Sequence, residues 1–222
     1  MQKIDFKNTY DAITCLDGNL PEKDFFSLFT GIPIFAADGA ALQLMQMSVD
    51  FDKVIGDLDT LKSKNMIDKI PDSKLIYQPD QDFNDFEKTL KYAISIGKKN
   101  ILICGFHGGE FEHSLNNWSV FMKYYQKTNL CLYEANRYAF AKDKSFCINT
   151  KHGEMIGLIP QPSAILTTYG LKWNLSNEKL QLGFREGARN IALSEMIQIE
   201  IHQGAILIFL DARLPGAPEF NL

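Results

Sequence analysis

The stretch Asp52–Leu61, DKVIGDLDTL, places two carboxylates directly after a short apolar run, and it indicates how the whole chain is built. The apolar residues before Gly56 are typical of the end of a buried strand. Gly56 then breaks the strand, and Asp57 and Asp59 follow. Alternate residues of an extended chain point to the same side, so both carboxylates are predicted to reach one region.

Strand-like and helix-like segments alternate on both sides of this stretch, through about the first two thirds of the chain. Polar or amphipathic runs predict helices between the strands, one of them from Thr60 to Ile70. This alternation predicts a mostly parallel sheet with helices on both faces. Five strands are predicted, at AITCL (12–16), IPIFAAD (32–38), KVIGD (53–57), KLIYQ (74–78) and NILICGF (100–106).

The last third of the chain, from about Tyr138, has a different pattern of residues, which predicts no long helix. Short apolar or alternating runs separated by Gly, Pro and Asn predict an antiparallel sandwich or barrel. We therefore predict a mostly parallel α/β domain over residues 1–138 and an all-β sandwich domain over residues 139–222. The tail RLPGAPEFNL (213–222) is predicted to be extended and poorly structured.

The composition is that of an ordinary globular protein. The 222 residues are 45% apolar and 23% charged, and the net charge of -4 argues against nucleic acid as a partner. The N-terminal residues lack the apolar region of a signal peptide, and no apolar run approaches the length of a membrane span. Four widely spaced cysteines without a C-x-x-C pair indicate reduced thiols, so a cytoplasmic location is predicted.

Polar clusters follow the predicted strands, and the carboxyl ends of parallel strands meet at one edge of the sheet. Crowded carboxylates repel one another unless a cation lies between them, and Asp is a hard ligand suited to Mg²⁺. Neighbouring glycines could let backbone N–H groups approach phosphates. The sequence therefore predicts a site for a nucleoside triphosphate with Mg²⁺. The clusters contain Asp38 and Gly39, Asp57 and Asp59, Asp80, Asp82 and Asp85, and the run GFHGGEFEH (105–113).

Each cluster also has a purely structural interpretation. Asp38 and Gly39 fit a turn or a helix cap, NDFEK (84–88) fits a capped helix start, and paired glycines fit a loop. Neither G-x-x-x-x-G-K-[ST] nor G-x-G-x-x-G occurs, so neither common nucleotide-binding motif applies. His107, His152 and His202 show no metal-ligand spacing and are predicted to be structural or exposed.

Five motifs, taken in order, resemble those of the thiamine pyrophosphokinase family over roughly residues 12–210. This resemblance implies an α/β domain followed by a β-sandwich, and transfer of a diphosphate group from ATP to thiamine, giving thiamine diphosphate and AMP. It also implies Mg²⁺ as cofactor and a homodimer with active sites between subunits. The motifs are ADGA (37–40), IGDLDT (55–60), PDQDFNDFEK (79–88), GFHGGEFEH (105–113) and TTYGLKWNL (167–175).

The resemblance also assigns residues. Asp57, Asp59 and Asp85 resemble the catalytic, metal-binding carboxylates of the family. GLKW (170–173) matches a motif of the sandwich domain, which the resemblance makes the thiamine-binding and dimerisation domain. The positions that resemble the nucleotide and cofactor pocket are Asp38, Gln81, Asp82, Gly108, Gly109, His113 and Asn190.

Three positions depart from the family pattern. Glu110 stands where the family usually has Arg, Glu112 where it has Asp, and Arg189 where it has a small hydroxyl residue. Two alternatives therefore stay open beside the main hypothesis. One is a related diphosphotransferase with a different acceptor, and the other is a weakly catalytic protein that binds nucleotide or thiamine.

Overall fold

The computed structural model describes residues 1–219, which divide into two compact units. One unit is Thr9–Ala135, here called the α/β unit. The other, the β unit, combines Met1–Asn8 with the chain from Asn136 onward. The first eight residues were predicted within the α/β domain, and this part of the prediction is wrong. Strand β1 (Gln2–Ile4) pairs in parallel with a strand of the β unit, a long-range contact that local sequence patterns do not reveal.

The α/β unit is built on six parallel strands in the order β7-β6-β2-β3-β4-β5. The middle strands are apolar on both faces, as a parallel sheet covered by helices requires. The strands are β2 (Ala12–Cys15), β3 (Ile34–Ala37), β4 (Lys53–Gly56), β5 (Leu75–Tyr77), β6 (Asn100–Cys104) and β7 (Asn129–Glu134). The helices are α1 (Lys23–Phe26), α2 (Asp38–Gln46), α3 (Asp59–Ser63), α4 (Asp85–Ser95) and α5 (Phe111–Tyr124).

Helix α3 is much shorter than the predicted helix from Thr60 to Ile70. It ends at Ser63, and Asn65 takes a left-handed conformation with φ 52°, which a continuing helix does not allow. A separate 3-10 turn, Ile67–Lys69, follows. The sequence therefore located this helix correctly but overestimated its length.

The β unit is folded around two long strands, each of which pairs with different partners along its length. The first half of β10 pairs with β12 and the second half with β11, and β13 pairs likewise with β9 and then β8. Register shifts bend β10 near Pro160 and again near Ile165. The strands are β8 (Arg137–Lys142), β9 (Phe146–Asn149), β10 (Met155–Tyr169), β11 (Glu178–Gln181), β12 (Gly187–Ile191) and β13 (Met196–Asp211).

These two units confirm the predicted fold class, an α/β sheet followed by a strand-rich C-terminal region. The cysteines at 15, 104 and 131 are free and buried in the α/β unit, and burial raises the pKa of Cys131 to about 12. These thiols therefore stay protonated. Within residues 1–219, no helix combines the length and apolar character that crossing a membrane requires.

The C-terminal tail is ordered up to Glu219, so the expectation of a poorly structured end is wrong for Arg213–Glu219. The Arg213 guanidinium donates to both carboxylate oxygens of Glu154 at 2.7 and 2.6 Å, and the Glu154 side chain is fully buried. Further along the tail, Ala217 is buried and bridges to Asn8. Residues 220–222 of the predicted tail lie outside the described residues.

Replacing Arg213 with Met should destabilise the protein by about 3 kcal/mol, because it leaves the buried Glu154 carboxylate without its counter-charge. Chemical denaturation gives the free energy of unfolding. The control is Arg137→Met, which breaks the more exposed pair with Asp211 and should cost no more than about 1 kcal/mol. Equal losses in the two variants would contradict the assigned role of Arg213.

Candidate functional site

A cavity of about 500 Å³ opens at the edge of the sheet where the strands of the α/β unit end. The chain runs from β2 outward through β3, β4 and β5, then returns to add β6 and β7 on the other side of β2. Open α/β sheets bind ligands at such a reversal, because the loops on its two sides diverge and leave a crevice. The charged side chains and the histidine of the lining are Asp17, Asp57, Asp85, Glu110, Lys88 and His113.

Asp57 and Asp59 diverge, because Leu58 between them takes a left-handed conformation with φ 62° and ψ 20°. Asp57 lines the cavity, and the Gln81 amide donates to its carboxylate at 3.0 Å. This hydrogen bond is the main reason that the pKa of Asp57 is lowered. Asp59 begins α3, and its 74% exposed side chain pairs with Lys62 at 3.0 Å. The extended backbone expected here is therefore wrong, and of this pair Asp57 faces the cavity.

Asp85, the first residue of α4, brings a second carboxylate to the cavity. Its burial raises the pKa of this carboxyl group, and the charges of Asp57 and Asp38 raise it further. The ammonium of Lys88, one turn later and 3.3 Å away, acts in the opposite direction. The Lys88 side chain is almost fully buried, so this lysine is held at the cavity rather than in solvent.

Asp38 lies beneath the site and is not among the cavity-lining residues. Its buried carboxylate accepts the backbone N–H groups of Thr60 at 2.8 Å and Leu61 at 3.3 Å, and so fixes the start of α3. Burial is the main cause that raises the pKa of Asp38. A Cβ atom on Gly56 would lie 3.2 Å from both the Cβ of Asp38 and Oδ1 of Asp85, so the glycine leaves room for these acids.

The loop after β6 supplies the opposite wall. Gly108 and Gly109 both line the cavity in left-handed conformations, with φ of 106° and 89°. His113, on the first turn of α5, lies 3.6 Å from the Glu110 carboxylate, and both side chains are exposed. Glu110 therefore places a negative charge beside the two glycines, at the position where a cation would favour phosphate.

An amide network fixes the start of α4 against this wall. The side chain of Asn84 caps the helix by accepting the N–H of Glu87 at 2.9 Å, and its amide donates to Asn117 at 3.1 Å. Asn117 in turn donates to the backbone carbonyl of Phe106 at 3.1 Å. The network holds α4, α5 and the loop after β6 in one arrangement around the cavity.

Two other predicted residues, Asp82 and Asn190, are not among the residues that line the cavity. Asp82 is exposed, and its backbone N–H donates to the side chain of Asp80 at 2.8 Å. Asn190 belongs to β12 of the β unit, where its side chain accepts the N–H of Trp173 at 3.1 Å and donates to the Trp173 carbonyl at 2.8 Å. These two hydrogen bonds hold the backbone of Trp173, and the residue remains 54% exposed.

Sequence reasoning missed Asp17, Lys88 and Asn117, which all line the cavity. Asp17 comes two residues after the end of β2, so the strand-end rule that indicated Asp57 should also have indicated Asp17. Lys88 lies one helical turn after Asp85, a spacing at which side chains meet. Asn117 carries no local signal, because its role depends on contacts with two distant segments.

The donor set at the cavity fits a divalent cation that keeps part of its water shell. Mg²⁺ is usually held by one or two carboxylates together with substrate phosphates, and Asp57 and Asp85 provide two. Within residues 1–219, no three His, Cys, Asp or Glu side chains are close enough to form a ready-made metal site. The expected set of Asp57, Asp59 and Asp85 is therefore not assembled around one point.

Two family models match the chain in succession. Residues 32–133 match the thiamin pyrophosphokinase catalytic domain, and residues 145–206 match the thiamin pyrophosphokinase vitamin B1 binding domain. Together they cover most of the chain. The chain therefore belongs to the thiamin pyrophosphokinase family, as the motifs suggested.

Relatives and solved structures agree with this family. Thiamine pyrophosphokinase 2 of Arabidopsis thaliana is 29% identical over 165 residues, covering 67% of this chain and 61% of that protein. Thiamin pyrophosphokinase 1 of Caenorhabditis elegans is 26% identical over 164 residues, covering 67% of this chain and 66% of that protein. The chain thus spans slightly less than two thirds of the length of these relatives.

The solved structures show the shared fold. Thiamine pyrophosphokinase from Bacillus subtilis has a TM-score of 0.76 at 19% identity, covering 91% of this chain and 100% of that one. Thiamin pyrophosphokinase from Candida albicans has a TM-score of 0.73 at 19% identity, covering 90% and 89%.

Asp38→Ala should cost about 2 kcal/mol of unfolding free energy, because two backbone N–H groups at the start of α3 lose their acceptor. Asp38→Asn keeps one acceptor oxygen and removes a charge that burial disfavours, so we expect a smaller loss. Chemical denaturation of both variants checks this difference. Equal destabilisation by Asn and Ala would contradict this expectation and would mean that one acceptor oxygen is not enough, so that the full carboxylate is needed to hold the helix.

Proposed function

We propose that this chain is an ATP-dependent thiamine diphosphokinase, a transferase that moves a diphosphate group from ATP to thiamine and releases thiamine diphosphate and AMP. The observation that carries the proposal is the succession of a catalytic-domain match and a vitamin B1 binding-domain match in one chain. The cavity supports it independently, because its position in the sheet and its residues suit a phosphate chain with a cation.

Asp57 and Asp85 are the residues we propose to hold Mg²⁺. When bound there, Mg²⁺ would offset the negative charge of the phosphates during transfer. The ammonium of Lys88 would place a fixed positive charge beside the same phosphates. The glycines at 108 and 109 would let the backbone approach the phosphate chain without obstruction by side chains. Asp59 is left outside this assignment because its side chain pairs with Lys62.

The acceptor would be bound through the β unit, as the name of its matching family model suggests. Trp173 offers an exposed indole whose backbone is fixed by Asn190, and the ammonium of Lys172 lies 4.8 Å from its ring centroid. We also propose a homodimer, and the large exposed apolar side chains of the β unit support it. They include Tyr169, Phe184, Leu193 and Met196.

The cell compartment proposed for this reaction is the cytoplasm. The support is chemical: buried free thiols with raised pKa values need no oxidising environment, and disulfides are rare in reducing compartments.

Two residues favour the alternative functions, which are a different acceptor and a binding protein with little turnover. Arg189 is exposed on β12, one residue before Asn190. The positive charge of Arg189 would favour an acceptor other than thiamine. Glu110 adds a negative charge to the cavity lining, which favours a protein that binds nucleotide with little turnover.

Incubation with ATP, Mg²⁺ and thiamine, followed by chromatography of the products, separates these functions. The proposal predicts AMP and thiamine diphosphate in equal amounts. AMP formation only with another alcohol would support the different acceptor, and ATP binding without AMP would support the binding protein. ADP as the product would contradict diphosphate transfer altogether.

Asp57→Asn should lower turnover by about a hundredfold or more, because loss of a metal ligand removes several kcal/mol of transition-state stabilisation. Thermal unfolding should change little, since Asn keeps the size of this partly exposed side chain and can still accept one of its two hydrogen bonds, from Gln81 or from the N–H of Asp59. Asp68→Asn is the matched control, an exposed aspartate outside the cavity lining.

Asp59→Asn makes the sharper comparison, and we expect a clearly smaller loss of turnover than in Asp57→Asn. The Mg²⁺ concentration needed for half-maximal rate should rise in Asp57→Asn and stay near normal in Asp68→Asn. A folded Asp57→Asn enzyme with near-normal turnover would remove Asp57 from the proposed metal site.

A further inference from the structure

His107 carries an imidazole whose two nitrogens are both engaged, although the ring is not among the cavity-lining groups. Its Nδ1 pairs with the carboxylate of Glu134, and its Nε2 lies 3.1 Å from Nε1 of Trp118. An indole N–H can only donate, so Nε2 is the acceptor. The ring proton therefore lies on Nδ1 and faces Glu134.

The three side chains come from three different elements. Glu134 ends β7, Trp118 lies on α5, and His107 stands in the loop between β6 and the glycines. Trp118 also packs against Phe106, with ring centroids 4.6 Å apart, and Phe106 lines the cavity. The imidazole thus joins the end of a strand, a helix and the loop that forms one wall of the cavity.

The backbone of His107 is equally constrained. Its carbonyl accepts the N–H of Asn19 at 2.6 Å, and a Cβ atom on Gly18 would lie 2.1 Å from the same carbonyl oxygen. A Cβ atom on Gly108 would lie 2.7 to 2.8 Å from atoms of Asn19. The loop after β6 is therefore interlocked with the loop after β2, and Gly18 of that loop also lines the cavity.

We propose that His107 is a positioning residue. Its imidazole, hydrogen-bonded through both ring nitrogens, fixes the glycine loop so that Gly108 and Gly109 present their backbone to the phosphates. The proposal rests on the nucleotide-binding function proposed above. Because the loop would contact ATP in the ground state and the transition state alike, loosening it should weaken nucleotide binding more than it slows turnover.

His107→Phe keeps an aromatic ring and removes both hydrogen bonds. We expect the KM and the Kd for ATP with Mg²⁺ to rise about tenfold, with kcat at saturation changed less than about twofold. His107→Gln can still accept from Trp118 and should recover most of the affinity. Trp118→Phe removes the donor and keeps a smaller aromatic ring. It should weaken ATP binding in the same direction, and it serves as the test if His107→Phe does not fold. His152→Phe is the control, an exposed histidine of the β unit.

Fluorescence supplies a readout that does not depend on activity. The chain has two tryptophans, so a Trp173→Phe background leaves Trp118 as the only indole emitter. The Trp118 emission should shift in His107→Phe and return towards normal in His107→Gln. Unchanged ATP affinity in a folded His107→Phe, or a loss confined to kcat, would overturn the positioning role while the proposed function stands. A wild-type protein that binds no ATP would overturn both.

Discussion

The parallel arrangement of the α/β sheet is the constraint from which the candidate site follows. Parallel strands bring all their carboxyl ends to one edge, so the acidic residues after β2, β3 and β4 and at the start of α4 are crowded there. Burial and then the charges of Asp57 and Asp38 raise the pKa of Asp85, and Lys88 offsets only part of this effect. Burial and then the charge of Asp57 likewise raise the pKa of Asp38. Carboxylates held together in this way are poorly suited to a bare polyphosphate and well suited to one accompanied by a cation.

Local backbone conformation decides which of these acids faces the cavity. The left-handed Leu58, buried and not a glycine, costs roughly 1 to 2 kcal/mol relative to an ordinary conformation. The left-handed turn gives the two aspartates of the GDLDT motif different roles. Asp57 lines the cavity, whereas Asp59 begins helix α3. Unfavourable conformations of this kind persist where the surrounding structure fixes them, often at functional sites.

Much of the fold could be predicted from the sequence, because the spacing of apolar residues and the positions of Gly, Pro and Asn indicate local structure directly. Alternating strands and helices before Tyr138 indicated the parallel sheet, and strand ends indicated Asp57 and Asp85. Contacts between distant segments were not predictable in this way. The pairing of β1 with β9 and the bend that joins two apolar runs into β10 both depend on long-range partners.

The same difference between local patterns and long-range contacts explains which site residues were predicted. Asp59 and Asp82 were grouped with the cavity because spacing alone does not reveal a left-handed residue or an exposed turn. Lys88 and Asn117 were missed because burial and hydrogen bonding, rather than sequence motif, bring them to the cavity. Asp57 and Asp85 are the residues proposed to hold the metal because both carboxylates line the cavity.

The central proposal is that tight binding of a phosphate chain in the cavity requires a divalent cation in addition to Lys88 and the backbone of the glycine loop. Isothermal titration calorimetry of ATP against the wild-type protein, with Mg²⁺ and with a chelator in its place, tests this claim most directly. The account predicts ATP binding at least about a hundredfold tighter with Mg²⁺, because the acidic lining repels free polyphosphate. Equal affinity with and without Mg²⁺ would contradict it.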